Sequence, residues 1–152
     1  HGAYLLVDET YREMAFSSLP PVAATLSPRA ISVSSMSKTF GLPGIRMGWL
    51  LCRDAALSER FLAAKEQIVI TNSVVDEAIA LRYLSHKAQH LPRIQEHIAQ
   101  HLAIVRAWLA EPVTAELVEC VEPQGGVVCF PRIRDPQQNG IDIDAFYRIL
   151  NE

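Results

Sequence analysis

One short stretch of the chain concentrates side chains that could do chemistry. Residues 35–49 read Ser-Met-Ser-Lys-Thr-Phe-Gly-Leu-Pro-Gly-Ile-Arg-Met-Gly-Trp. Ser35 and Ser37 offer two hydroxyl donors and Arg46 offers a planar guanidinium, a combination that suits a phosphate group. We predict that Lys38 lies among these donors in a mostly apolar setting, which favours the neutral amine and makes it a nucleophile toward an aldehyde. The pattern indicates a phosphate site beside a lysine capable of Schiff-base chemistry.

Two apolar runs flank this stretch and predict the elements that position it. Ala30–Val33 enters it and Trp49–Cys52 leaves it. We therefore expect a loop that joins two buried strands at the edge of a sheet, where ligands collect. Three glycines within the loop allow tight turns and a close approach of the backbone to a ligand. Taken alone, the same residues are equally compatible with an ordinary exposed loop, its lysine solvated and its arginine paired to a carboxylate.

A second polar element follows a short apolar run near the start of the chain. The run Tyr4–Val7 predicts a fully buried parallel strand, and Asp8 at its end would then lie where ligands bind. Asp8 opens the sequence Asp-Glu-Thr-Tyr, which ends at Tyr11. In isolation, the favoured interpretation of Asp8 is a helix cap or turn residue and that of Tyr11 a half-buried surface aromatic.

Together, these two elements resemble the signatures of one enzyme family. The pattern S-x-S-K-x-x-G-x-x-G-x-R-x-G-W, preceded by D-E-x-Y a few tens of residues upstream, is similar to that of fold-type-I enzymes that use pyridoxal 5'-phosphate, specifically the class I/II aminotransferases. A glycine pair at 125–126, before an apolar run, also resembles a feature of their small domain. The resemblance covers essentially the whole chain.

The resemblance assigns a role to each matching residue. It implies that Lys38 is the catalytic residue, which forms a Schiff base with the cofactor and then moves a proton. It implies that Asp8 pairs with the pyridinium nitrogen, keeping the ring protonated as an electron sink, and that Tyr11 meets the phenolic oxygen of the ring. The residues implied to hold the cofactor phosphate are Ser35, Ser37 and Arg46.

The fold that the resemblance implies is α/β. We expect part of a mixed, mostly parallel sheet with helices on both faces, followed by part of a small α+β domain. The C-terminal part of a large cofactor-binding domain is expected over residues 1–75, a linking long helix or helix pair over 76–110, and a partial small domain over 111–152.

Helical periodicity and proline positions predict the elements in the middle of the chain. Residues 17–28 hold three prolines, so we expect a surface connection there and no continuous helix. Residues 54–68 predict a helix, and a second helical span is expected to begin at Asn72 or Ser73.

Pro92 interrupts this second span, and we expect either a kink or two helices that meet near Leu91. Four histidines would lie on the polar flank of the span, so we predict a solvated face there and no metal site. They are His86, His90, His97 and His101.

The C-terminal third changes pattern again. Residues 117–121 and 127–130 predict two strands of a second, smaller sheet, joined by a turn at 123–126. A polar loop is predicted over 135–140. A closing helix through Leu150 is expected to be capped by one of two aspartates, Asp142 or Asp144.

Composition excludes several classes of partner. With 49% hydrophobic and 20% charged residues, the chain of 152 residues can bury a core, and its net charge of −3 offers no basic surface to nucleic acid or to an anionic membrane. We expect small-molecule partners, no membrane helix and a cytoplasmic location. The three cysteines are expected to be buried reduced thiols: Cys52, Cys120 and Cys129.

The leading hypothesis is therefore a pyridoxal-phosphate-dependent aminotransferase that acts on an amino acid and a 2-oxo acid through Lys38. We expect this chain to be a piece of that enzyme, inactive alone, with a homodimeric parent. One alternative is a fold-type-I enzyme of another reaction type, such as a lyase, a decarboxylase or a cyclising synthase. Another is a non-catalytic aminotransferase-like domain of a regulator.

Overall fold

The protein forms two compact units in the computed structural model, which describes residues 2–134, 140 and 142–151. The first unit holds the residues up to Gln95 together with Gln124–Gly126. The second holds Glu96–Pro123 and the residues from Val127 onward. The domain boundaries expected after residues 75 and 110 stay predictions.

A three-stranded mixed sheet lies in the first unit. Strands β1 (Leu5–Asp8) and β2 (Ala30–Ser35) run parallel, with Asp8 opposite Val33, and β3 (Gly48–Leu51) runs antiparallel to β2. The predicted parallel strand before Asp8 is thus confirmed. Because β2 extends only two residues past the level of Asp8, the ends of both strands reach the same edge of the sheet.

The burial of these strands differs from the prediction. The first half of β2 is buried, but Leu5 and Leu6 in β1 are 63% and 62% exposed and Leu51 in β3 is 45% exposed. Strands do form at these two positions, but the expectation that Tyr4–Val7 and Trp49–Cys52 are buried was wrong. An apolar run favours a strand, whereas burial needs neighbours on the faces, and in the described residues β2 is the main neighbour of both flanking strands.

Six α-helices occur within the described residues. Short 3₁₀ turns precede α1 and β3, at Arg12–Met14 and Pro43–Ile45. The helices are α1 (Ala23–Leu26), α2 (Ala55–Ile68), α3 (Val74–Ser85), α4 (Lys87–Ala110), α5 (Pro112–Leu117) and α6 (Ile143–Leu150). Because α1 has only four residues, the prolines do prevent a continuous helix over 17–28, as predicted.

Side-chain caps begin three of these helices, and the caps of α3 and α6 confirm candidates that the sequence predicts. The carboxylate of Asp54 accepts from the Leu57 amide at 3.0 Å at the start of α2. The Ser73 hydroxyl accepts an amide at 3.3 Å at the start of α3, and Asp142 accepts two amides at 3.0 and 3.1 Å at the start of α6. Each cap satisfies amide groups that have no partner within the helix.

The break in the long helical span lies at His86, so the alternative that two helices meet near Leu91 was wrong, while a kink at Pro92 stays a prediction. The His86 amide bonds back to the carbonyls of Tyr83 and Leu84, and its ring Nδ1 lies 2.9 Å from the carbonyl oxygen of Arg82. These bonds end α3. Pro92 sits instead inside α4. Proline cannot donate the backbone hydrogen bond at this position, yet α4 continues past it to Ala110.

The second unit contains the small sheet that the sequence predicts, with different strand bounds. Strand β4 (Val118–Cys120) pairs antiparallel with β5 (Pro131–Ile133), and residues 127–130 are not a strand. The turn residues belong to the first unit, where Gly125 forms an antiparallel bridge with Ala15, so they do not close a tight hairpin between the predicted strands. The predicted loop at 135–140 falls largely outside the described residues.

The cysteines are unpaired thiols, and three of the histidines contact other aromatic rings. All three cysteines are free, but they are half-buried and not buried as expected, since the extended segments that carry them keep one face exposed. The His90 ring stacks on Tyr83 at a centroid distance of 4.6 Å, and the rings of His97 and His101 contact each other at the same centroid distance.

Across the described ranges, no group of three or more histidine, cysteine or acidic residues could hold a metal ion. No helix in those ranges is both long and apolar enough to cross a membrane.

Gly125 lies where the backbone leaves no room for a side chain. A Cβ at this position would lie 2.7 Å from the Met14 carbonyl oxygen and 2.9 Å from the Ala15 Cα. The segment is tied down on both sides, because the Phe16 amide donates to the Gln124 carbonyl at 3.0 Å and the Gly126 amide donates to the Met14 carbonyl at 3.2 Å. A side chain at 125 would therefore separate two bonded backbone segments.

We predict that Gly125→Ala destabilises the full-length protein. Overlap with fixed backbone atoms should lower the free energy of unfolding by about 1–3 kcal/mol, measured by urea denaturation. Gly44→Ala is the matched control, since a Cβ there meets no atom within 4 Å. Equal stability of the two variants would contradict the close approach at Gly125.

Candidate functional site

The loop that carries Lys38 is anchored by the residues around it. Met36 is completely buried, and Thr39 and Phe40 are nearly so, whereas Lys38 between them is exposed. The Met36 amide donates to the Met47 carbonyl at 3.0 Å, which ties the start of the loop to its end. The backbone therefore presents the lysine from a fixed base.

A small hydrophobic core lies beneath this loop. Met36 and Phe40 pack with Ala80 of α3 and Leu91 of α4. The Phe40 ring meets Tyr83 edge to face at a centroid distance of 5.9 Å, and its centroid lies 6.1 Å from that of Trp49. Helices α3 and α4 thus support the loop from below, and aromatic contacts of this kind add to the energy of burial.

The surroundings of Lys38 differ from the prediction. We expected a mostly apolar setting, but the side chain is exposed. Neighbours with apolar side chains, Met36 and Phe40, point into the core beneath the loop, so they do not surround the amine. Within the described part of the chain, the amine makes no hydrogen bond or ion pair, which leaves it accessible to a ligand.

Ser35 and Ser37 lie at the end of β2, as predicted. Both are half-buried, and the Ser37 amide donates to the Ser35 hydroxyl oxygen at 3.3 Å. Gly48 lies opposite Ser35 in the antiparallel ladder, where a Cβ would come within 3.0 Å of the Ser34 carbonyl oxygen. Ser35 is thus the last residue of β2 and Ser37 lies two residues beyond it, while the role of their hydroxyls in holding phosphate stays a prediction.

Arg46 adopts a strained backbone conformation. Its φ of 46° and ψ of 35° are left-handed, and it is the one non-glycine residue with positive φ in the described ranges. Its guanidinium is exposed and donates to the Pro43 carbonyl at 2.9 Å. Strain of this kind persists where the surrounding structure imposes it, and it clusters at functional sites.

Asp8 is held as a carboxylate at the adjacent strand end. Its Oδ1 accepts two bonds from Thr10, at 2.9 Å from the amide and 2.5 Å from the hydroxyl. These two bonds lower the pKa of Asp8 from its ordinary value, with the hydroxyl contributing most. Asp8 is exposed and is therefore ionised and accessible at neutral pH.

Tyr11 lies three residues after Asp8 and immediately before the first 3₁₀ turn. Its ring is 42% exposed and borders Gly126, and its carbonyl accepts from the Met14 amide at 3.0 Å. This places the side chain on the segment that leaves the same sheet edge as Asp8. Its contact with a cofactor stays a prediction.

The sequence reasoning missed the residues that hold these groups in place. The buried Thr39 hydroxyl donates to the Thr10 carbonyl at 2.5 Å and so links the lysine loop to the segment after β1. The Glu9 carboxylate accepts from the buried Ser32 hydroxyl at 2.8 Å and from the Ala23 amide at 2.6 Å. Polar residues next to a motif are a usable signal, but only the structure shows their partners.

Fold and site together define a class of protein: an α/β chain that presents a lysine amine, a carboxylate, hydroxyls and a guanidinium at one edge of a mixed sheet. The chain belongs to the family Aminotransferase class I and II, whose sequence model matches residues 1–152. The family resemblance drawn from the two motifs is thereby confirmed.

Two curated relatives show what this chain is similar to. Capreomycidine synthase of Streptomyces vinaceus is 31% identical over 134 residues, which cover 86% of this chain and 33% of that protein. Histidinol-phosphate aminotransferase of Frankia casuarinae is 30% identical over 104 residues, which cover 67% of this chain and 25% of that protein. The chain therefore spans at most a third of the length of these relatives.

Solved structures of the same fold include enzymes of more than one reaction type. A PLP-dependent aminotransferase from Streptococcus suis matches with a TM-score of 0.77 and 33% identity, over 87% of this chain and 34% of that one. The PLP-dependent cyclase OrfR matches with a TM-score of 0.79 and 27% identity, over 97% of this chain and 38% of that one. These matches confirm the predicted fold class and support pyridoxal 5'-phosphate as the cofactor.

The side chains at the sheet edge fit this cofactor chemically. An accessible amine suits its aldehyde, and an ionised carboxylate with one oxygen not engaged by Thr10 suits a protonated ring nitrogen. Hydroxyls and a guanidinium suit its phosphate. The donor set therefore provides a partner for each polar part of pyridoxal 5'-phosphate.

The strain at Arg46 can be separated from the function of its guanidinium. We predict that Arg46→Gly and Arg46→Ala weaken binding of pyridoxal 5'-phosphate equally, because both lose the guanidinium. The free energy of unfolding of Arg46→Gly should be about 1 kcal/mol higher than that of Arg46→Ala, because glycine adopts a positive φ without steric cost and alanine does not. Equilibrium dialysis and urea denaturation of the full-length protein measure the two effects, and equal stabilities would argue against the left-handed conformation.

Proposed function

We propose that the protein of which this chain is part is a pyridoxal-phosphate-dependent aminotransferase, acting on an amino acid and a 2-oxo acid. The observation that carries the proposal is that an accessible Lys38 amine, just beyond the end of β2, and the ionised carboxylate of Asp8, at the end of β1, lie at the same edge of the sheet. Membership in the aminotransferase class I and II family supports it.

In this proposal, Lys38 has two tasks. It holds the cofactor while no substrate is present, and its Nζ afterwards carries a proton from the substrate alpha carbon. The exposed position of the amine above a rigid core suits both tasks, because the amine stays free to move while its backbone does not. Bound pyridoxal 5'-phosphate supplies an electron sink for the bond that breaks at the alpha carbon.

The other site residues orient the cofactor. Asp8 keeps the ring nitrogen protonated, which strengthens the electron sink, and Tyr11 donates toward the phenolic oxygen. Three side chains would bind the phosphate: Ser35, Ser37 and Arg46. We also propose that the complete enzyme is a cytoplasmic homodimer with small-molecule substrates only; the net charge of −3 supports the absence of a nucleic-acid partner.

A second candidate reaction has specific support. Capreomycidine synthase is 31% identical to this chain, and the cyclase OrfR has a similar fold at 27% identity. A cyclising synthase would use the same lysine and carboxylate, because the cofactor activates the alpha carbon in either reaction and the orientation of the substrate decides which bond breaks. Incubation of the full-length enzyme with single amino acids separates the two. Release of a 2-oxo acid supports transfer. A cyclised amino acid that has formed its new ring bond with loss of a leaving group of its own side chain, such as a hydroxyl lost as water, supports the synthase.

We predict that pyridoxal 5'-phosphate attaches to Lys38 selectively. The full-length protein is incubated with the cofactor, reduced with borohydride and digested, and mass spectrometry then locates the modified lysine. Within this chain the label should be confined to Lys38, because neither of the other lysines lies at the strand ends. Lys65 donates to the Ile70 carbonyl at 3.3 Å, and Lys87 pairs with Glu13 at 3.1 Å.

Lys38→Ala is the test variant and Lys65→Ala the matched control. Loss of the label in the first and its retention in the second would support the proposal. A label spread over Lys65 and Lys87, or none, would remove the enzyme interpretation and favour a non-catalytic domain.

A further inference from the structure

Thr10 binds a single oxygen of the Asp8 carboxylate. Its amide and its hydroxyl both donate to Oδ1, at 2.9 and 2.5 Å, and no hydrogen bond from the described residues reaches Oδ2. Two donors on one oxygen fix both the rotation of the carboxylate and the identity of the oxygen that stays accessible. A residue with the same backbone but no hydroxyl would supply only the amide bond.

Thr39 in turn fixes Thr10. Its hydroxyl is buried, since Thr39 is 1% exposed, and it donates to the Thr10 carbonyl at 2.5 Å. Thr39 directly follows Lys38, and its neighbours Met36 and Phe40 lie in the core. The bond therefore connects the base of the lysine loop to the residue that orients Asp8.

We propose that Thr10 and Thr39 are positioning residues that act as a pair: Thr10 orients Asp8 so that Oδ2 faces the cofactor ring, and Thr39 holds Thr10 in register with Lys38. This inference rests on the proposed function, because it assumes that Asp8 serves the ring nitrogen. Neither threonine touches the reacting atoms in this proposal. Their effect is to keep the carboxylate and the amine at a constant separation.

The two hydroxyls have different consequences when they are removed. Thr10→Val removes the stronger of the two bonds to Oδ1, so the pKa of Asp8 rises toward its ordinary value and the carboxylate gains rotational freedom. Thr39→Val leaves the Thr10 carbonyl without its buried donor, so the loop and the strand end lose their link. Serine at either position keeps the hydroxyl and should restore the native behaviour.

The test measures cofactor binding and the state of the ring, not turnover. Full-length wild type and the four variants Thr10→Val, Thr10→Ser, Thr39→Val and Thr39→Ser are titrated with pyridoxal 5'-phosphate labelled with nitrogen-15 in the ring. Equilibrium dialysis gives the Kd across a pH series, and the nitrogen-15 chemical shift reports protonation of the ring nitrogen. Thr25→Val is the matched control, because its hydroxyl donates to the Val22 carbonyl at 2.6 Å within the first turn of α1, away from the site.

We expect Thr10→Val to raise the Kd about tenfold, the size of one lost bond to a charged group. The ring nitrogen should shift toward its unprotonated form. As the pH falls, cofactor affinity should be lost at a higher pH than in wild type, because the raised pKa of Asp8 lets it become neutral sooner. Thr39→Val should raise the Kd in the same direction, and both serine variants and Thr25→Val should resemble wild type.

Two results would overturn the inference. The first is that Thr10→Val has the same Kd and the same nitrogen-15 chemical shift of the ring as the wild type. The second is that a serine variant behaves like its valine counterpart, which would indicate a packing role alone. Failure of the proposed function is distinguishable, since the wild type would then show no borohydride-stable attachment at Lys38. Attachment at Lys38 combined with unaffected valine variants would reject only the positioning pair.

Discussion

The burial of Met36, Thr39 and Phe40 around an exposed lysine is the constraint on which the site depends. Two apolar side chains reach a core built by α3 and α4, and one hydroxyl reaches the segment after β1. Loops that carry functional residues are usually mobile, and their position must come from a rigid scaffold. Here the loop contributes to its own scaffold, because residues on both sides of Lys38 are buried in the core.

The parallel pairing of β1 with β2 gives the second half of the arrangement. Asp8 and the loop after Ser35 come from segments more than twenty residues apart, yet the register places both at the same edge of the sheet. Directly after β1, the Glu9 carboxylate accepts hydrogen bonds from Ser32 in β2 and from the first amide of α1. These bonds hold the segment that leaves the sheet. A site at the carboxyl ends of parallel strands is the general rule for such sheets.

The same set of residues is compatible with more than one reaction. Relatives with comparable identity to this chain include a histidinol-phosphate aminotransferase and capreomycidine synthase. In the proposed function, the lysine and the carboxylate would serve the steps that these chemistries share, namely holding the cofactor and moving a proton at the alpha carbon. The orientation of the substrate then decides the outcome, and it depends on groups beyond the motifs described above.

Sequence reasoning was most successful where a local signal has a local cause. The start of α3 followed from the candidate caps Asn72 and Ser73, of which Ser73 is the cap, since a cap depends on residues three positions apart. It failed where distant contacts decide. The break fell at His86 and not near Leu91, and residues 127–130 form no strand next to Gly125, which forms a bridge with the distant Ala15.

The sequence by itself determined the family, the motif residues and the three strands of the first sheet, because residue types at fixed spacing encode all three. Only the tertiary structure showed that Lys38 is exposed and that its loop is held from within the core. Only it showed that Thr10 and Thr39 link Asp8 to the lysine loop. The physical reason is that burial and hydrogen-bond partners are properties of residues brought together from distant positions, which no local pattern records.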